Sequence, residues 1–234
     1  MQEGLNVILI TAASIGFLHT LMGPDHYLPF IALGRARQWG AGRILATTVI
    51  CGVAHVLSSI VIGGIGIAVG IGVSRLEGFE GLRGGLASYL LLGFGLAYLA
   101  WGVKRAVAER PHTHTHDHGE GEEHVHHHSH IGGHAHVHPK EDSSFWWLFI
   151  IFILGPCEPL IPILMVPAAR HSVFGVVLVS LVFGLVTVVT MTVVVLIAHL
   201  GLGQLRLPFL ERYAHAIAGA VIALSGAAMV FLGL

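Results

Sequence analysis

Gly23-Pro-Asp-His-Tyr-Leu-Pro-Phe-Ile31 interrupts one apolar run, and Gly155-Pro-Cys-Glu-Pro-Leu-Ile-Pro-Ile163 interrupts another. Proline removes a helix hydrogen bond, and the Gly-Pro pair permits a break. In lipid, irregular backbone survives only where protein or a watery cavity covers it. One such break reads equally well as a simple proline kink. Two breaks at corresponding places argue for a lined cavity. Sliding the chain by 132 residues, from position 23 to position 155, places Asp25-His26 on Cys157-Glu158. It also places Leu28 on Leu160, Ile31 on Ile163 and Ala36 on Ala168. Further on, Gly52 meets Gly184, His55 meets Thr187 and Ser58 meets Thr190. With a one-residue slip, the run from Gly95 to Gly102 resembles that from Gly226 to Gly233. The pattern predicts two three-helix repeats, and an odd number of spans makes the second run opposite to the first. Inverted repeats with broken helices in corresponding positions are a transporter signature.

The rest of the chain fits that frame. Of 234 residues, 54% are hydrophobic and 11% charged, against roughly 25% charged in soluble domains. Thirty-one glycines suit close helix packing in lipid. Several apolar runs exceed the roughly 18 residues needed to cross a bilayer. The expected fold is all-α and polytopic. Its six spans lie near 5–34, 43–73, 85–106, 145–168, 173–200 and 210–233, with the first and fourth broken. Residues 1–106 form the first repeat and 144–234 the second. A hydrophilic loop over 107–143 joins them. The first apolar run has no preceding basic residue and no small-residue cleavage site, so it reads as a span. A net charge of −1 gives no reason to expect nucleic acid.

Basic residues set orientation. Arg35, Arg37, Arg43, Lys104, Arg105, Arg110, Lys140, Arg206 and Arg212 fall on one side; Arg75, Arg83 and Arg170 fall on the other. This predicts a bacterial or archaeal plasma membrane protein with both termini outside and the long loop cytoplasmic.

Candidate chemistry gathers at the breaks. Ionisable groups inside a membrane are costly and mark ion paths. His19, Asp25 and His26 form an imidazole–carboxylate–imidazole set suited to borderline divalent ions. On a continuous helix, His19 and His26 would stand about 10 Å apart along the axis. The break could shorten that gap, or the two could serve successive sites. His55 in the second span reads equally as a ligand or a hydrogen-bonded core residue. Ser58, Ser59 and Thr190 would line a hydrated path or bond their own helix. Cys157 and Glu158 offer a soft and a hard ligand, with His26 the expected partner of Glu158. Cys157 could also be a small apolar residue. Cys51 and Cys157, both in apolar runs, do not make a disulfide framework.

Twelve of the 18 histidines lie in the loop: His112, His114, His116, His118, His124, His126, His127, His128, His130, His134, His136 and His138. Such a tract binds divalent metals with little selectivity, and without apolar residues it is expected to be disordered.

Two family resemblances follow from these residues. His19 followed by Asp25-His26 resembles the early-helix signature of nickel/cobalt transporters, although five residues separate His19 from Asp25 where the family has four. Met22 or Gly23 stands where an extra Asp is common. The His-rich loop between spans 3 and 4 resembles the efflux branch of that group. Separately, Gly155-Pro-Cys157-Glu-Pro-Leu-Ile-Pro162 resembles the broken-helix cysteine motif of the membrane thiol carriers of cytochrome c maturation. Those carriers also have inverted three-helix repeats, but they use two symmetric cysteines. Here the mate of Cys157 is Asp25.

The expectation is a non-enzymatic transporter of divalent transition metals, nickel or cobalt first, with zinc or iron as further candidates. The ion would lie between the broken helices, held by Asp25 and His26 with His19, His55, Cys157 and Glu158 as further ligands. The layout favours export over import. No prosthetic group is expected; the partners are the bilayer, the metal and a cytoplasmic metal chaperone. The alternatives are a thiol–disulfide electron carrier and a metal-sensing membrane protein. An intramembrane metalloprotease is disfavoured because His-Glu-x-x-His is absent.

Overall fold

Helix α1, Gln2–Met22, stops where Gly23 and Pro24 arrive. Gly23 still donates to the His19 carbonyl at 3.0 Å, but Pro24 has no N–H with which to continue. The chain instead makes a 3₁₀ turn over Pro24–His26 and restarts as α2, Leu28–Ala36, with Pro29 in its first turn, where no donor is missed. The computed structural model describes residues 2–108, 114–116, 124–126, 143–169, 172–202 and 211–233.

Helix α3 covers Ala41–Val69 and closes on Gly70, whose φ of 76° suits the left-handed cap. Helix α4, Val73–Ala108, begins twelve residues before the expected third span. Residues 74–84, read from sequence as connecting loop, are therefore helical. Helices α5, Ser143–Leu154, and α6, Leu160–Ala168, flank the second break. Helices α7, Val173–Leu202, and α8, Ala214–Leu232, complete the described helices. Within the long loop, the described residues are two three-residue strands, His114–His116 and His124–His126, paired antiparallel. The remainder of that loop, including His112, His118, His127, His128, His130, His134, His136 and His138, lies outside the described residues.

The chain is an integral membrane protein. Among the described residues, α1, α3, α4, α7 and α8 are long and apolar enough to cross a bilayer, and α5 is a shorter apolar helix. Their outer faces are apolar: Ile10, Leu82, Phe174 and Leu224 are all largely exposed. In water this would be a liability; in lipid it is the solvent-matched face.

Two apolar clusters form the interior. One joins Phe30, Leu33, Ile44, Cys51, Phe152 and Ile222 with their neighbours. The other joins Ala12, Cys157, Leu160, Leu164 and Phe183 with theirs. The tightest packing lies between α4 and α8. A Cβ at Gly95 would strike the Ala223 backbone, and one at Gly102 the Ala216 backbone. From the other side, a Cβ at Gly219 would strike the Leu99 backbone and one at Gly226 that of Leu92. Glycine is required here for the helices to approach backbone to backbone.

Candidate functional site

The two breaks meet in the interior. Turning the chain at Gly23 folds His26 back beneath the end of α1, and the His19 and His26 ring centroids come to 4.8 Å, edge to face. The break thus brings together two histidines that a continuous helix would hold about two turns apart. His55 of α3 approaches from the other side, its ring centroid 5.2 Å from that of His26. Cys157, at the second break, completes the group. Potential ligand atoms of His19, His55 and Cys157 lie within 4.8 Å of one another.

Hydrogen bonding fixes the tautomers. His26 Nδ1 lies 3.1 Å from the Gly23 carbonyl and 3.2 Å from Asp25 Oδ1. Both neighbours are acceptors, so Nδ1 carries the hydrogen. His55 Nδ1 likewise donates to the Phe152 carbonyl at 3.2 Å. In the neutral rings, each Nε2 is then a bare lone pair. Nε2 of His19, His26 and His55 has no hydrogen-bond partner, and neither does Thr187 Oγ1. A buried polar atom left unpaired costs about 1–3 kcal/mol, so three such nitrogens on neighbouring rings set up a sizeable unmet demand.

The second break is held by residues that the sequence reading missed. Glu80 and Arg83 form a buried ion pair one turn apart on α4. Ser59 donates to Glu80 Oε2 at 2.9 Å, and the Cys157 N–H points to both Ser59 Oγ (3.1 Å) and Glu80 Oε2 (3.2 Å). Arg83 donates to Ser58 Oγ at 2.8 Å and to the carbonyls of Ile153 (2.9 Å) and Gly155 (3.3 Å). These are the backbone groups that the interrupted helix leaves without partners. Arg83 was assigned to an external loop from the charge pattern; it is interior because α4 begins at Val73. Ser58 and Ser59 face this cluster, although Ser58 also bonds the His55 carbonyl of its own helix. The signal available in sequence was the i,i+3 spacing of an acid and a base, masked by the surrounding glycines.

Glu158 does not pair with His26. It is exposed and lines a cavity of about 790 Å³ together with His19, Asp25, His26, Pro156 and Ser88. The cavity reaches His19 and Pro156 but not Cys157 itself, which is fully buried. His26, which the 132-residue offset aligns with Glu158, has the opposite environment because the break points it inward. Asp25 stays beside His26, outside the three-residue convergence, and Cys51 lies in the other apolar cluster from Cys157. Both cysteines are free thiols.

A family model described as the cytochrome c biogenesis protein transmembrane region matches residues 31–233. The chain belongs to that family. No curated protein and no solved structure matches it. Membership overturns the expected place among nickel/cobalt transporters, and with it the expectation of nickel or cobalt transport. The signature that suggested it, His19 with Asp25-His26, covers eight residues, whereas the family match runs over residues 31–233. Of the two resemblances, the one carried by Cys157 and its prolines is the one that agrees with the family.

Proposed function

We propose that the chain is a membrane component of thiol-dependent cytochrome c biogenesis, with Cys157 as the reacting group. The observation that carries this reading is a thiol seated at the second helix break of a chain belonging to this family. The family match favours thiol–disulfide exchange over metal transport. The Cys157 thiolate would attack a disulfide of a partner protein, forming a mixed disulfide and releasing one partner thiolate. A thiolate of a second, reduced dithiol partner would then attack Cys157 in the mixed disulfide, releasing the first partner as a dithiol. Its other thiol would close a disulfide on that second partner and release Cys157 as the thiolate. A single thiol suffices for this cycle, so it needs no symmetric second cysteine.

The reading includes a six-span inverted repeat, α5 and α6 together making the fourth crossing. Supporting it, the contacts come in matched pairs: α1 packs on α7 as α3 packs on α5, and α2 packs on α8 as α6 packs on α4. Rocking of the halves would open the buried thiol toward the cavity beside Pro156. Moving Arg83 from the loops to the interior leaves the basic-residue asymmetry pointing the same way, with both termini outside and the His-rich loop cytoplasmic.

The test is complementation in a bacterial strain lacking its own membrane component for this step, read as haem-stained c-type cytochrome. Cys157→Ser should abolish maturation at unchanged protein level, and Cys51→Ser should retain it. Full maturation with Cys157→Ser would refute the proposal.

A further inference from the structure

The unpaired nitrogens near Cys157 have no role assigned in the exchange described above. His26 and His55 are each 3% exposed, and their Nε2 lone pairs have no donor. Histidines that hold metals are arranged in this way: Nδ1–H is given to a carbonyl or carboxylate, which fixes the ring and leaves Nε2 for the ion. Phe152 and Gly23 supply the carbonyls and Asp25 the carboxylate.

We propose that His19, His55 and Cys157 bind one thiolate-preferring metal ion, Zn²⁺ or Cu⁺, as a resident group between the two broken helices. Their ligand atoms already lie within 4.8 Å of one another. Donors bound to one such ion stand roughly 3.5 Å apart, given metal–nitrogen and metal–sulfur bonds of about 2.0 to 2.3 Å. Shifts of under about an ångström each close the ring. Two imidazoles and a thiolate complete a trigonal site for Cu⁺. For tetrahedral Zn²⁺ the fourth donor would come from outside this trio, a water or His26, whose ring stands edge-on to both other imidazoles. The thiolate discriminates against magnesium, calcium and manganese. Charge also balances for a divalent ion: the Cys157 thiolate and the Asp25 carboxylate offset it, while Glu80 and Arg83 neutralise each other. Balance matters because net charge inside a membrane is costly.

This inference goes beyond the thiol reading and does not depend on it. A metal-bound thiolate is capped, so the metal would hold Cys157 unreactive until it leaves.

The experiment titrates the full-length reduced protein in detergent with Co²⁺, a spectroscopic stand-in for Zn²⁺. The readout is thiolate-to-cobalt charge transfer in the near ultraviolet. The His-rich loop contains no cysteine, so metal bound there is silent in this band. The band should appear in the native chain and in Cys51→Ser, vanish in Cys157→Ser and weaken strongly in His55→Ala. Displacement by Zn²⁺ or, anaerobically, by Cu⁺ then identifies the preferred ion. In the native chain, the bound ion should also slow alkylation of Cys157. Absence of a thiolate band, or its persistence in Cys157→Ser, would overturn the proposal. So would alkylation of native Cys157 at the same rate with and without metal, which covers the case of a variant that does not fold. If Cys157→Ser matures cytochromes normally while the native band is present, the thiol reading falls and the metal site stands.

Discussion

The two helix breaks share a Gly-Pro core yet are stabilised by opposite means. The first is largely self-contained: His26 reaches back to the Gly23 carbonyl and to Asp25, and Tyr27 donates to the Leu21 carbonyl at 3.2 Å. The second is held from outside by Glu80 and Arg83 of α4 and by Ser59 of α3, which take up its open backbone groups, with Ser58 accepting from Arg83. A local device survives changes elsewhere in the fold. A tertiary device links the break to the helices that supply it, so any motion of α4 against α3 is felt at Cys157.

The comparison breaks most visibly at Glu80. Glu80→Ala strands a buried guanidinium and should cost about 3–5 kcal/mol, the usual loss when one partner of a buried pair is removed. Thermal unfolding in detergent would measure it, and a change under 1 kcal/mol would mean that water or lipid headgroups reach Arg83. Next comes Gly84→Val. A Cβ there already lies 2.7 Å from Pro156 Cγ, and crowding of this kind costs about 1–3 kcal/mol. The expected signature is a lower midpoint together with faster alkylation of Cys157. The smallest effect belongs to the first break. Asp25→Asn keeps an acceptor for His26 Nδ1 and should cost no more than about 1 kcal/mol. A loss there as large as that at Glu80 would show that the first break is not self-contained.

This contrast also explains what could be read from the sequence. The breaks were legible because two Gly-Pro interruptions fall at corresponding places, where one alone would read as a kink, and the long helices because lipid leaves no alternative for apolar runs. The network around the second break was not legible. Glu77, Gly78, Glu80, Gly81, Arg83, Gly84 and Gly85 look like a connecting loop by composition, and only the tertiary fold makes them the start of α4. The convergence of His19, His26 and His55 was half legible: the residue types pointed to it, but the distance depended on the angle of a break that sequence does not specify. Glu158 shows the reverse error. Alignment with His26 suggested a partner, yet aligned positions at two breaks need not face the same way once the local turn differs.

The glycine seam between α4 and α8 has a mechanical consequence. Glycines alternate between the two helices along the contact: Gly226 against Leu92, Gly95 against Ala223, Gly219 against Leu99, Gly102 against Ala216. Slipping one helix by a single turn would set every glycine against the wrong residue and drive side chains into backbone. The pair can therefore roll but not slide, like two meshed racks with one permitted engagement. Because each half of the chain contributes one of the racks, the seam ties the two halves together in a single register.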